Sequence, residues 1–427
     1  MIFRLFRCFQ TVASVGLLLL IASGSSAQQT ATPAGIPTQL TLDLATEILV
    51  ARNPTILRER QNVVIARAGV AGARLLPNPA FDLASESYPL FQANSGPFFQ
   101  NDEMVIRIGQ TLETAGKRGK RTQVAEQDEA VAQSFLQDTV RQVKLELRSR
   151  YFRVVLAKAE NELAREVLSQ FDEIIRLNEA RFQRGEVSGL DLARVQTERL
   201  RFFNDQVSAD VELQNSKTAL LELLGATDVG APIELAESLA FQSSSFSMQE
   251  LEQEALVARA DLRARTEQVV REQRDLTLEK ANSVPDVTPF LGYKRNFRDN
   301  TVAFGFNVSL PIFNRNQGGI ARAAARIEQA GFERQQAELA VRSQLRQAYQ
   351  VVQGEERRVR ELESTYVPKA RQARDIAQAA YRLGSLDLIG FLDAERAYRE
   401  TLRGYNQALF DHQVAIFVLE AAVGKEQ

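Results

Sequence analysis

The sequence predicts a mainly α-helical fold with a small β part, built as two copies of one unit of roughly 200 residues. Three observations support that reading. First, 182–225 matches 381–424 at a constant offset of 199, with Gly185 on Gly384, Leu190 on Ile389, Ala209 on Ala408, Leu220 on Leu419 and Gly225 on Gly424. Second, each copy holds a helical pattern far longer than the average of about 11–12 residues. Third, each copy holds two short segments whose polarity alternates with the period of a strand.

In chain order, the first element is an export signal. Arg4 and Arg7 precede an apolar run over 12–22, and the small residues Ser25-Ser26-Ala27 fit cleavage before Gln28. The run is about 11 residues, short of the roughly 20 that a spanning helix needs. Residues 1–27 are read as a signal peptide and 28–40 as a flexible N-terminal segment. Cys8 precedes the apolar run, so it is not a lipoprotein cysteine, and its removal leaves an exported chain without disulfides. The first unit then covers 41–225, a Gly/Pro/Ser-rich linker 226–247, and the second unit 248–427.

Each unit has the same order: helix, two strands, a very long helix, a Gly-containing turn and a further helix of roughly 35 residues. The opening helices are expected over 54–76 and 248–283. Weaker matches at an offset of 206 join Pro54-Thr55-Ile56 to Ala260-Asp261-Leu262 and Pro79 to Pro285. In the first long helix Val140, Val143, Leu147, Tyr151 and Val154, then Leu163, Val167, Phe171 and Ile174, recur every three or four positions. Val341, Leu345, Ala348, Val352, Val359, Leu362, Tyr366, Ala370, Ala373 and Ala377 do so in the second. This is a coiled-coil-type seam. Each pattern covers about 65 residues, or about 100 Å of helix. No proline interrupts 120–184, whereas Pro368 is expected to kink or repack the second helix.

The strands are expected around Phe81 and Leu83, around Met104, Ile106 and Ile108, around Val287, Leu291 and Tyr293, and along Val302, Phe304, Phe306, Val308, Leu310 and Ile312. Arg298-Asp299-Asn300 is read as a tight hairpin tip and 90–101 as a longer loop. Tyr88, Tyr293, Phe297 and Phe313 lie near the strand ends. One apolar face and one small or polar face, on strands of about ten residues, suit a transmembrane barrel with interfacial aromatics. They equally suit a half-buried sheet in a soluble domain. Four strands cannot close a spanning barrel, whose bacterial minimum is about eight; three chains would supply twelve.

Composition excludes several function classes. The 427 residues are 44% apolar and 25% charged, so the chain is not disordered. Lys plus Arg number 52 against 54 Asp plus Glu, a net charge of -2 that speaks against nucleic acid as a partner. One His and one Cys cannot build a zinc or copper site, and a nucleophile–base pair would have to use His412 or Cys8. No P-loop is present either, so an enzyme, a cofactor and a bound metal are not expected. His412 is read as a packing or surface residue of the last helix. The mean hydropathy of -0.22 disfavours a helical membrane protein, but four short strands are too small a share to move that average.

With these features in place, the chain resembles the TolC-like outer-membrane efflux proteins over essentially its whole length after residue 27. The likeness rests on the two-unit order, on Leu75-Leu76-Pro77-Asn78-Pro79 entering the first strand, and on Leu310-Pro311-Ile312-Phe313-Asn314 leaving the fourth. It rests also on the paired aromatic-x-x-Gly turns at Gly185 and Gly384. Within the family, Glu113-Thr114-Ala115-Gly116-Lys117-Arg118-Gly119-Lys120-Arg121 is similar to outer-membrane factors of cobalt-zinc-cadmium type resistance systems. The resemblance implies a homotrimer in which four strands per chain form one 12-stranded outer-membrane β-barrel, continued across the periplasm by a long α-helical barrel. It implies a passive conduit that serves a periplasmic adaptor (membrane fusion) protein and an inner-membrane resistance-nodulation-division pump, with outer-membrane lipid around the strands. Heavy-metal cations are the cargo of the similar branch. Multidrug efflux or type I secretion is the alternative. A soluble periplasmic adaptor fits less well, because adaptors carry one helical hairpin rather than two strand-and-helix units.

The resemblance also assigns residues. The Gly turns become periplasmic tips that meet the adaptor: Arg184, Gly185, Glu186, Val187, Leu190 and Leu192 on one, and Leu383, Gly384, Ser385, Leu386 and Asp387 on the other. Asp191 and Tyr381 stand where the family places a coil-to-coil gate bond, and Asp393 stands at an acidic-ring position. Gly390 replaces a second acidic position and Leu386 a basic one, two departures from the family's gate network. The bland alternatives for the three gate residues are a solvated face or a helix cap. The basic run 117–121 reads as a solvated strand-to-helix junction.

Overall fold

Where the chain breaks its helices determines the layout. In the computed structural model, residues 36–86, 103–243, 246–296 and 299–425 are described. The signal segment, most of the expected flexible segment, Tyr88, the 90–101 loop, Phe297 and Arg298 lie outside them. The elements are β1 (Gln39–Leu40), α1 (Leu42–Arg52), α2 (Pro54–Ala73), β2 (Ala80–Glu86), β3 (Glu103–Gly109), α3 (Lys117–Gln183), α4 (Gly189–Leu223) and β4 (Glu234–Leu235). There follow α5 (Met248–Ala258), α6 (Ala260–Asn282), β5 (Val287–Asn296), β6 (Asp299–Val308), α7 (Gln317–Glu361), a π turn (Leu362–Tyr366), α8 (Val367–Arg382) and α9 (Leu388–Val423).

The helix expected over 248–283 is two helices, broken at Arg259 in an extended conformation (φ -63°, ψ 115°). Asn53 breaks α1 from α2 in the same way (φ -59°, ψ 123°). At Asn53 the reason is visible, since Pro54 disfavours a helical residue before it. Arg259 has no such neighbour and is held by contacts. Its guanidinium donates to Asp261 at 2.6 and 2.8 Å and to the Ala422 carbonyl at 3.2 Å. Asn53 donates likewise to the Leu223 carbonyl at 2.7 Å and caps α2 with its own side-chain oxygen. Both breaks therefore dock on the C-terminal end of a long helix. Beyond each end lies a glycine in the left-handed region, Gly225 (φ 70°) and Gly424 (φ 90°). A Cβ on Gly225 would meet the Arg52 carbonyl oxygen at 2.9 Å, and one on Gly424 would meet Ala258 and Arg259 backbone at 3.1 Å.

The 67-residue α3 spans about 100 Å and packs against α2, α4, α6 and α9. Val143, Leu147, Tyr151, Val154, Val167, Phe171 and Ile174 are buried along it, as the seam predicted; Val140 and Leu163 are half-buried. In α7 the row Val341–Val359 is buried too, but Tyr366 and Ala373 are exposed. Pro368 cannot donate to the turn before it, and beyond the π turn ahead of it the buried row resumes at Ala377, a position of the expected seam, and at Tyr381. The segment read as a linker is docked: Ile233 and Leu235 are buried, and β4 pairs in parallel with β1, so Gln39 and Leu40 belong to a strand. Tyr151 donates to the Leu40 carbonyl and to Glu237, and Glu237 accepts from the Leu42 amide. His412 is 1% exposed, with its ring 5.1 Å from that of Phe241 in the same segment.

The four longer strands form one antiparallel sheet in the order β2-β3-β5-β6. The ladder pairs Asp299 with Asn296 and Asn300 with Arg295, so these two residues extend β6 rather than form a tip. The strand ends at Val308, short of Leu310 and Ile312. Register aligns Phe81, Ile108, Leu291 and Phe304 in one row and Leu83, Ile106, Tyr293 and Val302 in the next. At the base, Lys117 donates to Asp286 and the Val284 carbonyl, both at 2.7 Å. Arg121 there binds Glu113 and the Ala73 and Leu75 carbonyls. Two of the basic run's cations thus tie α3 to the sheet.

Gly225→Ala combines a forbidden φ with a clash and should cost about 1–3 kcal/mol, read as a lowered denaturant midpoint. Burial holds the His412 imidazole below its ordinary pKa, against the attraction of Glu356 and Glu355. The unfolded chain binds a proton near pH 6.5 and the folded chain does not, so stability falls as pH drops below about 6.5. His412→Leu should flatten that fall in melting temperature between roughly pH 7 and 5; an unchanged slope would show that other groups produce it.

Candidate functional site

The site is built from two turns and one sheet face. At the first turn α3 ends on Gly185 (φ 76°), with the Glu186 amide donating to the Arg181 carbonyl and the Gly185 amide to Phe182, both at 2.9 Å. At the second, α8 ends on Gly384 (φ 78°), with Ser385 donating to Ala380 at 2.9 Å and Gly384 to Tyr381 at 3.1 Å. The positive φ is the reason for glycine at both. Three residues further on, a side chain starts the next helix: Ser188 accepts from the Asp191 amide and Asp387 from the Gly390 amide.

These turns expose Arg184, Gly185, Glu186, Leu190, Leu383, Gly384, Ser385 and Asp387, while Val187, Leu192 and Leu386 are half-buried. Leu386 and Gly390 are a packed pair, because a Cβ on Gly390 would lie 2.8 Å from the Leu386 side chain. Between the first turns of α4 and α9 runs an open groove of about 460 Å³, lined by Leu190, Ala193, Arg194, Thr197 and Glu198 opposite Leu388, Ile389 and Leu392. The sequence reading stopped at Leu192 and missed its upper half, although 190, 193, 194 and 197 share a helical face.

The three gate candidates are not bonded to one another within the chain. The buried Tyr381 hydroxyl donates to Asn178 Oδ1 at 2.8 Å, and Asn178 donates to the Ile174 carbonyl at 2.7 Å. The Tyr381 ring stacks on Phe391 at 5.1 Å, and Arg181 lies 5.7 Å over it while donating to the Arg382 carbonyl at 2.6 Å. Burial raises the Tyr381 pKa, the Asn178 bond and Arg181 oppose that, and Asp191 adds to it. Asp191 accepts from Ser188 Oγ at 2.7 Å, and Asp393 faces Arg396 at 3.4 Å. Asn178 was not singled out, yet it continues the Phe171–Ile174 row as a polar residue on an apolar seam. A second polar group joins the helices above the tips: Arg399 donates to Asp205 at 2.6 Å, and buried Glu395, its pKa raised by burial, lies in the field of Arg374 and Arg399. Among the described residues, no group of three or more His, Cys, Asp or Glu is arranged to hold a metal ion.

The sheet face is the other half of the site. Phe304 is 86% exposed, Phe306 71% and Phe81 66%, and Leu83, Ile108, Leu291 and Val302 beside them are exposed as well. Among the described residues the outer edges of β2 and β6 are unpaired. No helix of the described residues is long and apolar enough to cross a membrane.

Comparison with known proteins agrees with this geometry. The chain is 23% identical over 395 residues to the cobalt-zinc-cadmium resistance protein CzcC of Cupriavidus metallidurans, covering 90% of each. It is 28% identical over 318 residues to the nickel-cobalt-cadmium resistance protein NccC of Alcaligenes xylosoxydans, covering 73% of this chain and 68% of that one. In structure it matches the Campylobacter jejuni CmeC outer membrane channel with a TM-score of 0.75 at 15% identity, over 90% of this chain and 85% of that one. The model of the outer membrane efflux protein family matches residues 46–226 and 251–425, and the chain belongs to that family.

Proposed function

We propose that the chain is the outer-membrane channel subunit of a tripartite efflux pump and conducts heavy-metal cations passively out of the cell. The observation that supports it is the sheet: an apolar face exposed at Phe81, Leu83, Ile108, Leu291, Val302 and Phe304 and bounded, among the described residues, by two free edges. In water such a face is an aggregation hazard. In hydrocarbon it is the required surface, provided that every edge is paired. Pairing β6 of one chain with β2 of the next does this, and three chains give a twelve-stranded barrel. The long helices beneath the sheet then form a periplasmic tunnel. The two-unit organisation, 41–225 and 248–427 around a linker, is supported by the matched breaks at Asn53 and Arg259 and the matched turns at Gly185 and Gly384.

The turns are the adaptor-facing tips, and the groove between α4 and α9 extends that surface. The adaptor delivers cargo from an inner-membrane resistance-nodulation-division pump. Tyr381, with Asp191 and Asp393, forms the periplasmic gate; Asn178 adds a bond inside the chain that joins the two coiled coils. Heavy metal as cargo is supported by the cobalt, zinc, cadmium and nickel resistance named for the relatives.

The protein should partition with outer membranes, need detergent for release and run as a trimer by native mass spectrometry; recovery from the soluble periplasm would overturn the channel reading. A deletion strain should become sensitive to cobalt, zinc or cadmium, and unaltered tolerance to all three would reject metal as cargo while leaving the channel standing. Removing the hydroxyl in Tyr381→Phe breaks a bond worth about 1 kcal/mol and should raise single-channel conductance in planar bilayers. Unchanged conductance would remove Tyr381 from the gate.

A further inference from the structure

The face of the sheet opposite the apolar rows carries two large side chains lying over glycines. Arg107 of β3 is paired with Gly292 of β5, and Phe290 of β5 with Gly305 of β6. A Cβ on Gly305 would lie 2.8 Å from Phe290 Cζ and 3.0 Å from Cε1, so the ring occupies the space above that glycine. A Cβ on Gly292 would lie 3.0 Å from Arg107 Cγ, so the arginine stem crosses that strand. Both side chains lean across the next strand in the same sense, and the Arg107 guanidinium sits 5.8 Å from the Phe290 ring centroid. The rest of this face is small or polar at the same level: Ala80 and Gly109 complete the Phe290–Gly305 row, and Asp82 and Ala303 the Arg107–Gly292 row.

We infer that Gly292 and Gly305 are clearance positions that keep Arg107 and Phe290 flat against the inner wall of the barrel, and that these four residues set the bore and charge of the exit for hydrated cations. This rests on the barrel reading, because the exposed apolar rows must face lipid for the opposite face to line the lumen. Any side chain at 305 displaces the Phe290 ring, and the open direction is away from the wall. In a trimer the displacement occurs three times around one axis, where pore radius and lining charge govern conduction. A side chain at 292 lifts Arg107 in the same way and moves three guanidinium groups toward the axis, which disfavours cations.

Planar-bilayer recordings on the full-length protein test this. Gly305→Val should lower single-channel conductance roughly twofold, and the double variant Gly305→Val with Phe290→Ala should restore it. Gly292→Val should shift the reversal potential in a salt gradient toward anions. Wild-type conductance in Gly305→Val, or no recovery in the double variant, would overturn the inference. If the valine variant does not assemble, Gly305→Ala is read by the same criteria, since its Cβ alone meets the ring. In Phe290→Cys, a membrane-impermeant thiol reagent should reduce the current, and an unaffected current would place Phe290 off the lumen. A wild-type protein that forms no channels would instead reject the barrel reading itself.

Discussion

Among the described residues the sheet leaves one apolar face largely exposed and both outer edges unpaired, and the rest of the molecule follows from that. An edge strand carries backbone donors and acceptors that must be paired wherever water is absent. Four strands with strand twist do not curl far enough to meet themselves. The apolar rows through Phe81 and Leu83 are continuous across all four strands, and most of their side chains are exposed among the described residues. Closure with further copies resolves edges and face together. The burden then passes to the helices, which must hold the sheet at one end and reach whatever delivers cargo at the other.

That load is transmitted through short polar ties set beside the apolar seams of the helices. Where α3 meets the sheet, one carboxylate, Asp286, accepts from Lys117 and from the Thr114 amide, so helix start and strand start share one anchor. The Asp286 carboxyl is held below its ordinary pKa by these donors, against the opposing effect of burial. At the middle, Asn53 and Arg259 place a donor on the last carbonyls of α4 and α9. Both are almost fully buried, so losing either leaves an unsatisfied backbone oxygen as well as a cavity. The equivalence of an amide and a guanidinium at these positions shows that the constraint is geometric. A helix must turn there and cap another, and two different side chains meet the need.

Periodicity made most of this legible in the sequence. The seam of α3 and the alternation in β6 are local patterns; burial follows the first closely, and the second sorts apolar from small or polar side chains on a strand exposed along most of its length. The misses have physical causes. The break at Arg259 was missed because, beside its neighbour Asp261, the partners that hold it, Ala422 and Gln344, are distant in sequence. Pro368 announced a disturbance but not its form; around the π turn Tyr366 and Ala373 leave the seam, while Ala377 stays on it. Asp299 and Asn300 have turn-like composition, yet pairing with β5 outweighs local preference. At the candidate gate the sequence pointed to Tyr381, and the partner it has within the chain, Asn178, lies 203 positions away.

The placement of that pair bears on the proposed gate. Tyr381 and Asn178 lie within a seam otherwise filled by Phe171, Ile174, Val195, Phe202 and Phe391. An all-apolar seam would bind the two coiled coils through area alone, and its strength would fall gradually as they separate. A buried hydrogen bond behaves differently: it fixes register while intact and is lost over a small displacement. Arg181 adds to this by donating to the Tyr381 and Arg382 carbonyls at the very end of α8. Rotation of α8 and α9 away from α3 therefore breaks a few directional bonds together before much apolar area is exposed. A contact of that kind has two states rather than a continuum, with Tyr381 about one helical turn from Gly384 and Asn178 about two turns from Gly185.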